Sequence, residues 1–203
     1  MNDRGLNHSV KHPATDEFVP ADRRPSRTES VNTGRPTPRS ARNRWHNLIA
    51  TNVAIAVGSR IGGNSADIYV NGMRVEIASN VVCCPDVVIV NGNPSFTDKN
   101  LDVLKNPTAV IEIFSNGTNS ADKQHKLENY LAMNSIKECI LLKADEMRVE
   151  HYSRQNPKQW LYRIYNERDD VISLDSINCK VSLAEIYAQV NVKQAEFSSK
   201  AVN

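Results

Sequence analysis

The chain has 203 residues, 40% hydrophobic and 24% charged, the balance of one soluble globular domain that hides roughly two-thirds of its unfolded surface in a single core. A net charge of +2 and a pI near 8.3 exclude a strongly polyanionic or polycationic protein, so an anionic partner has to be argued from a site and not from bulk charge. No apolar run approaches the length of a membrane span and the N-terminus lacks the apolar segment of a secretory signal; the expectation is no membrane partner and a cytoplasmic location.

Residues 1–41 hold no apolar period. Pro13, Pro20, Pro25, Pro36 and Pro38 break any helix, Arg23, Arg24, Arg27, Arg35 and Arg39 give a basic cast, and the few apolar residues do not offset the entropy of ordering. The segment reads as a disordered tail, either an arm that tracks phosphates or a solvated extension. A domain is expected over 42–192, followed by a short C-terminal tail at 193–203.

The domain opens with a helix over 41–60, where Trp45, Leu48, Ile49, Val53 and Val57 recur at helical spacing, and Gly62-Gly63 ends it. Two β-rich runs, 67–70 and 73–77, flank Asn71-Gly72, which predicts a two-residue hairpin. A strand over 87–90, a polar loop over 95–106 and a strand over 108–114 come next. A helix over 120–133, a strand over 138–143, a meander over 148–153 and 159–165, and a closing helix over 182–190 complete the order. The fold class is α/β with a central mixed β-sheet flanked by helices.

Cys83, Cys84, Cys139 and Cys179 show neither metal-ligand spacing nor a disulfide framework, and read as small apolar core residues in a reducing compartment. Two carboxylates are less ordinary. Asp86 opens the run Val87-Val88-Ile89-Val90, and Glu112 sits inside Val110-Ile111-Glu112-Ile113-Phe114. Alternation puts Glu112 on one strand face with Val110 and Phe114. An ionised group in such a run loses several kcal/mol of solvation unless something compensates, and two on neighbouring strands raise each other's pKa. A divalent cation between them removes both problems, the arrangement of a metal-dependent hydrolase. Asp122, Lys126 and Tyr130, four apart, share one face of the following helix. The plain alternatives are a turn acid for Asp86, a solvent-facing rim position for Glu112, a solvated Lys126, a core histidine at His46, and packing for Tyr130, Trp160, Tyr162 and Tyr165.

Pro85-Asp86-Val87-Val88-Ile89-Val90, then Val110-Ile111-Glu112-Ile113-Phe114-Ser115, then Asp122, Lys126 and Tyr130 resemble the PD-(D/E)XK nuclease superfamily. Within it they are most similar to the bacterial Uma-two-type family of "putative restriction endonucleases". The resemblance runs from about Arg44 to Val190 and takes in His46-Asn47-Leu48-Ile49, Glu150-His151-Tyr152, Gln159-Trp160 and Ala184-Glu185-Ile186-Tyr187. It implies a restriction-endonuclease-like fold, Mg²⁺ (or Mn²⁺ in its place) as cofactor and DNA as substrate. In the superfamily the lysine normally lies two residues past the acid, where this chain has Phe114; in the family resembled the next helix commonly supplies it, and Lys126 matches that position. The resemblance therefore implies Asp86, Glu112 and Lys126 as catalytic residues, Asp86, Glu112 and the Ile113 carbonyl as metal ligands, and His46, Asp122 and Tyr130 in support. Superfamily members that cut both strands often pair, which leaves a homodimer open. Relatives usually carry a strand pair with an Asp-Gly turn ahead of the His46-like helix, and here the Arg/Pro/Ser-rich tail stands in that place. The alternative reading is a catalytically weak or inactive nuclease-fold protein that binds nucleic acid or another protein.

Overall fold

The computed structural model describes residues 43–61, 66–79, 81–97, 102–116 and 120–194. The readings made for 1–41, for the Gly62-Gly63 helix stop and for 195–203 lie outside those residues. The elements in chain order are α1 (Arg44–Ile61), β1 (Ala66–Val70), β2 (Arg74–Ala78), β3 (Val81–Cys83), β4 (Val87–Asn91), β5 (Val103–Leu104), β6 (Ala109–Phe114) and α2 (Ser120–Ala132). They continue with β7 (Glu138–Lys143), β8 (Glu146–Met147), β9 (Val149–Asn156), β10 (Gln159–Tyr165), β11 (Val171–Leu174), a 3₁₀ turn (Asp175–Ile177), β12 (Cys179–Ser182), α3 (Leu183–Ile186) and β13 (Lys193–Gln194).

Six strands form the central sheet in the order β1-β4-β6-β7-β9-β10. The β6–β7 pair is parallel and bridged by α2, while the other neighbours are antiparallel, so the sheet is mixed. Both faces are covered at its centre, which is why β4 and β6 read as nearly unbroken apolar runs. On one face α1 packs Ile49, Val53 and Val57 against Val87, Ile89, Ile111, Ile113, Ile140 and Leu142. On the other, α2 and the small sheet β3-β2-β5 close over Val88, Val90, Val110, Phe114, Cys139 and Leu141. Truncating Ile49, which is wholly buried, to alanine costs about 2–5 kcal/mol in such a setting.

Four expectations are corrected. Asn71-Gly72 does not close a hairpin: β1 pairs with β4 in the main sheet, whereas β2 joins β3 and β5. Asn71 adopts a left-handed φ of 56°, and its amide donates to the Asp86 carbonyl at 2.8 Å, so the turn carries the chain between sheets. The loop over 95–106 contains β5, whose two apolar residues are buried and pair with β2 in parallel. The closing helix is one turn, α3, held by a capping box in which Ser182 Oγ accepts from the Glu185 amide and the Glu185 carboxylate accepts from the Ser182 amide. Order also runs past 192, since β13 pairs in parallel with β8. The four cysteines are free, with Cys83, Cys139 and Cys179 buried.

Candidate active site

The β4–β6 ladder pairs Val87 with Ile111, so one further step of the same register sets Asp86 opposite Glu112. There the ladder gives way to a side chain: the Ile113 amide donates to Asp86 Oδ2 at 2.9 Å. In a strand the amide and carbonyl of one residue face the same neighbour, which directs the Ile113 carbonyl to the Asp86 side too. From α1, His46 brings Nε2 to 3.1 Å from Asp86 Oδ1, and its own amide is tied to Asn43 Oδ1. His46 and Asp86 are both buried. The histidine is thus a partner of the strand acid.

Glu112, 3% exposed, is met from α2. Lys126 Nζ lies 3.4 and 3.3 Å from its two carboxylate oxygens, and the Tyr130 hydroxyl donates to Oε1 at 2.5 Å. Tyr130 is the one buried residue of α2, so four-residue spacing from Lys126 puts both on the face turned to the sheet. Because its proton goes to Glu112, the phenol accepts from the Cys83 thiol, 3.3 Å away. Burial pushes that thiol up to about 12, which keeps it a donor.

The electrostatics follow from this packing. Burial pushes Glu112 above the usual carboxylate range, opposed by the Lys126 charge, reinforced by the Asp86 charge and opposed again by the Tyr130 hydrogen bond. Burial alone would depress Lys126, but the charges of Glu112, Asp122 and Asp86 outweigh it and hold the ammonium above its ordinary value. Asp122 acts as a nearby charge in the first turn of α2, where an acid also suits the helix dipole. Every residue singled out in the sequence as catalytic, ligating or supporting is therefore gathered at the same end of β4 and β6.

Among the described residues no three His, Cys, Asp or Glu side chains are grouped closely enough to hold a metal ion. The donor set available is two carboxylates and one backbone carbonyl, all hard oxygens. That suits Mg²⁺, which binds through one or two carboxylates and keeps several waters. Glu112 and Asp86 repel each other in a buried setting, so a cation there would relieve both.

Other groups around α2 were not singled out by spacing. Lys123 Nζ lies 3.1 and 3.0 Å from the Glu150 carboxylate oxygens, and Arg148 Nε lies 3.3 Å from the same group. Arg154 packs its guanidinium 4.2 Å from the Trp160 ring centroid, and Tyr162 stacks at 4.8 Å on Tyr152. Trp160 and Tyr162, read in the sequence as packing residues, thus have partners on β9, although Tyr162 stays exposed. The signal available in sequence was their alternation along β9 and β10.

A mixed sheet with flanking helices and acids at the end of two central strands defines a restriction-endonuclease-like protein. The crystal structure of "a putative nuclease belonging to DUF820" from Anabaena variabilis ATCC 29413 superposes with a TM-score of 0.61 over 77% of this chain and 85% of that one, at 17% identity; the likeness is one of fold. The chain belongs to the Uma2 family, described as "putative restriction endonuclease", whose model matches residues 16–185. That match begins upstream of Arg44, inside the segment read as a tail. Two Synechocystis sp. (strain ATCC 27184 / PCC 6803 / Kazusa) proteins are similar. "Uncharacterized protein sll1609" is 32% identical over 117 residues, 57% of this chain and 66% of that protein, just under two thirds of its length. "Uncharacterized protein slr1290" is 22% identical over 143 residues, 70% of this chain and 74% of that protein. Among the described residues no helix is long and apolar enough to cross a membrane.

Proposed function

We propose that the protein is a Mg²⁺-dependent endonuclease that hydrolyses DNA phosphodiester bonds. The observation that carries this reading is the meeting of Lys126 with Glu112 beside Asp86. Asp86, Glu112 and the Ile113 carbonyl would hold the ion, with Mn²⁺ as a substitute. When bound, it supplies Lewis-acid polarisation of the phosphodiester and acidifies the attacking water.

The chain's own groups do the rest. His46 and the Ile113 amide fix the Asp86 carboxylate from two sides, so it meets its ligand without losing side-chain freedom. Tyr130 does the same for Glu112. Lys126 remains protonated across the working pH range because three carboxylates raise its affinity for the proton. It can orient water by hydrogen bonding and stabilise negative charge developing on the phosphate. Its long stem lets one ammonium reach from α2 to the position that a strand lysine fills elsewhere in the superfamily.

The test is cleavage of supercoiled plasmid by the full chain with Mg²⁺, Mn²⁺ or chelator. Nicking that needs the metal and vanishes in Asp86→Ala supports the reading. Equal cutting by Asp86→Ala removes the carboxylate from the chemistry, and an inert wild type that still binds DNA leaves the binding-protein alternative.

A further inference from the structure

The C-terminal end of α2 is held by a residue from another strand. The helix has no basic residue in its last turn, although the last carbonyls of a helix lack intrahelical partners and favour a cation. Arg154 of β9 fills the gap. Its Nη2 donates to the carbonyls of Leu131 (2.7 Å) and Met133 (2.8 Å), and its Nε to that of Ile136 at 2.9 Å. Nη1 reaches the Pro157 carbonyl at 3.5 Å, and Trp160 covers the guanidinium. At the other end of the helix Lys123 pairs with Glu150, two strand positions of one parity from Arg154. Both ends of α2 are therefore pinned to the same side of β9.

The pinned turn is the one that carries Tyr130. Its carbonyl accepts from the Met133 amide at 3.2 Å, its neighbour Leu131 is gripped by Arg154, and its hydroxyl orients Glu112. Lys126 lies one turn earlier. We infer that Arg154, roofed by Trp160, is a positioning residue: by fixing the last turn of α2 it holds the Tyr130 hydroxyl and the Lys126 ammonium on Glu112. The inference rests on the nuclease reading of this site for its catalytic consequence. The guanidinium spreads its donors over separate nitrogens, Nε for the Ile136 carbonyl and Nη2 for those of Leu131 and Met133, whereas a lysine's three N–H groups start from one atom and do not span that set.

The experiment compares the full-length wild type with Arg154→Ala, Arg154→Lys and, as a control, Asn52→Ala. Asn52 donates to the Ile186 and Ala188 carbonyls, away from α2. Two readouts are taken: metal-dependent plasmid cleavage, resolved into kcat and KM, and hydrogen–deuterium exchange over 120–133. Both Arg154 variants are expected to lose about a hundredfold in kcat with KM little changed, the cost of misplacing groups by about 1 Å. Exchange should accelerate at the end of α2, and millimolar guanidinium should restore part of kcat to Arg154→Ala but none to Asn52→Ala. Unchanged kcat in Arg154→Ala, full activity in Arg154→Lys, or an equal loss in Asn52→Ala would each overturn the inference. An inert wild type would instead remove the nuclease reading, and the clamp would then stand or fall on exchange at 128–133 alone.

Discussion

On the α2 face of the central sheet Glu112 is 3% exposed, and its two oxygens meet an ammonium and a phenol. On the opposite face Glu138 is 2% exposed; one of its oxygens accepts from the Ser176 amide at 3.2 Å, while the other finds no hydrogen-bond partner, nor do the two ring nitrogens of His151. Burial penalises charge equally on both faces. The α2 face answers with counter-charges and donors, which oppose the upward push of burial on Glu112 without reversing it and hold its carboxylate in place. The other face supplies few, and its groups drift toward neutrality: burial raises Glu138 to about 7 and lowers His151 to about 4. Burial raises both acids, but an acid gripped by an ammonium and a phenol is oriented for chemistry, and only the first face provides that.

The sharpest way to break this contrast is Glu112→Gln, which keeps volume and removes charge. Metal-dependent cleavage should fall roughly a thousandfold or more, as when one member of an interdependent catalytic set is lost. Calorimetric titration with Mg²⁺ should lose its signal together with the activity. Glu138→Gln on the opposite face should leave cleavage within about twofold of wild type, far below the tenfold that 1.4 kcal/mol represents. Comparable losses in both variants would erase the distinction between the faces.

Lys126→Ala comes next. The expected fall in kcat is about a hundred- to a thousandfold, the range for removing one charge-stabilising donor, with Mg²⁺ affinity changed much less because the ammonium is not a ligand. If affinity and kcat drop together, Lys126 serves only to hold Glu112. Tyr130→Phe is milder. Loss of an outer partner of a ligand costs roughly ten- to a hundredfold, and the buried Glu112 oxygen and Cys83 thiol left short of a partner cost about 1–3 kcal/mol. Parallel chemical denaturation and kinetics on this variant separate the two effects.

How far these groups were legible in the sequence depends on the range of the interactions. The acids stand out because each interrupts an apolar run, and Asp122, Lys126 and Tyr130 share a helix face whatever the tertiary fold does. The strands β4, β6, β7, β9 and β10 were legible because each is a local apolar or alternating run, whereas their order in the sheet was not. The Asn71-Gly72 hairpin failed because turn chemistry specifies a reversal and not its partner, and the longer apolar run of β4 pairs with β1 in place of β2. β5 was hidden because a two-residue strand has no period to detect. Arg154 and Glu150 act on α2 across 23 and 27 residues, and only the β7–β9 register brings them under the helix. His46 reaches Asp86 over a separation of 40 residues, so its role rested on resemblance alone until α1 was placed on the sheet.

The smallest effect is a compensation between two stability slopes on the α1 face. Glu138 titrates at about 7 folded against an ordinary 4.5, so the native state binds more protons than the unfolded chain between those values and stability falls as pH rises through that window. His151 titrates at about 4 folded against an ordinary 6.5. There the unfolded chain binds more protons, and stability rises with pH between about 4 and 6.5. Each window is worth on the order of 3 kcal/mol, and the two nearly cancel between pH 4.5 and 6.5. Burial is the first cause for both groups, and the Asp175 charge raises both, so removing one leaves the other's environment largely intact. Glu138→Gln should therefore unmask a stability that climbs with pH from 4 to 6.5, and His151→Phe one that declines from 4.5 to 7. Urea unfolding of the two variants at half-unit pH steps reads the slopes directly. Flat profiles in both would mean that water or local opening already solvates these groups, and that the two faces of the sheet bury charge alike.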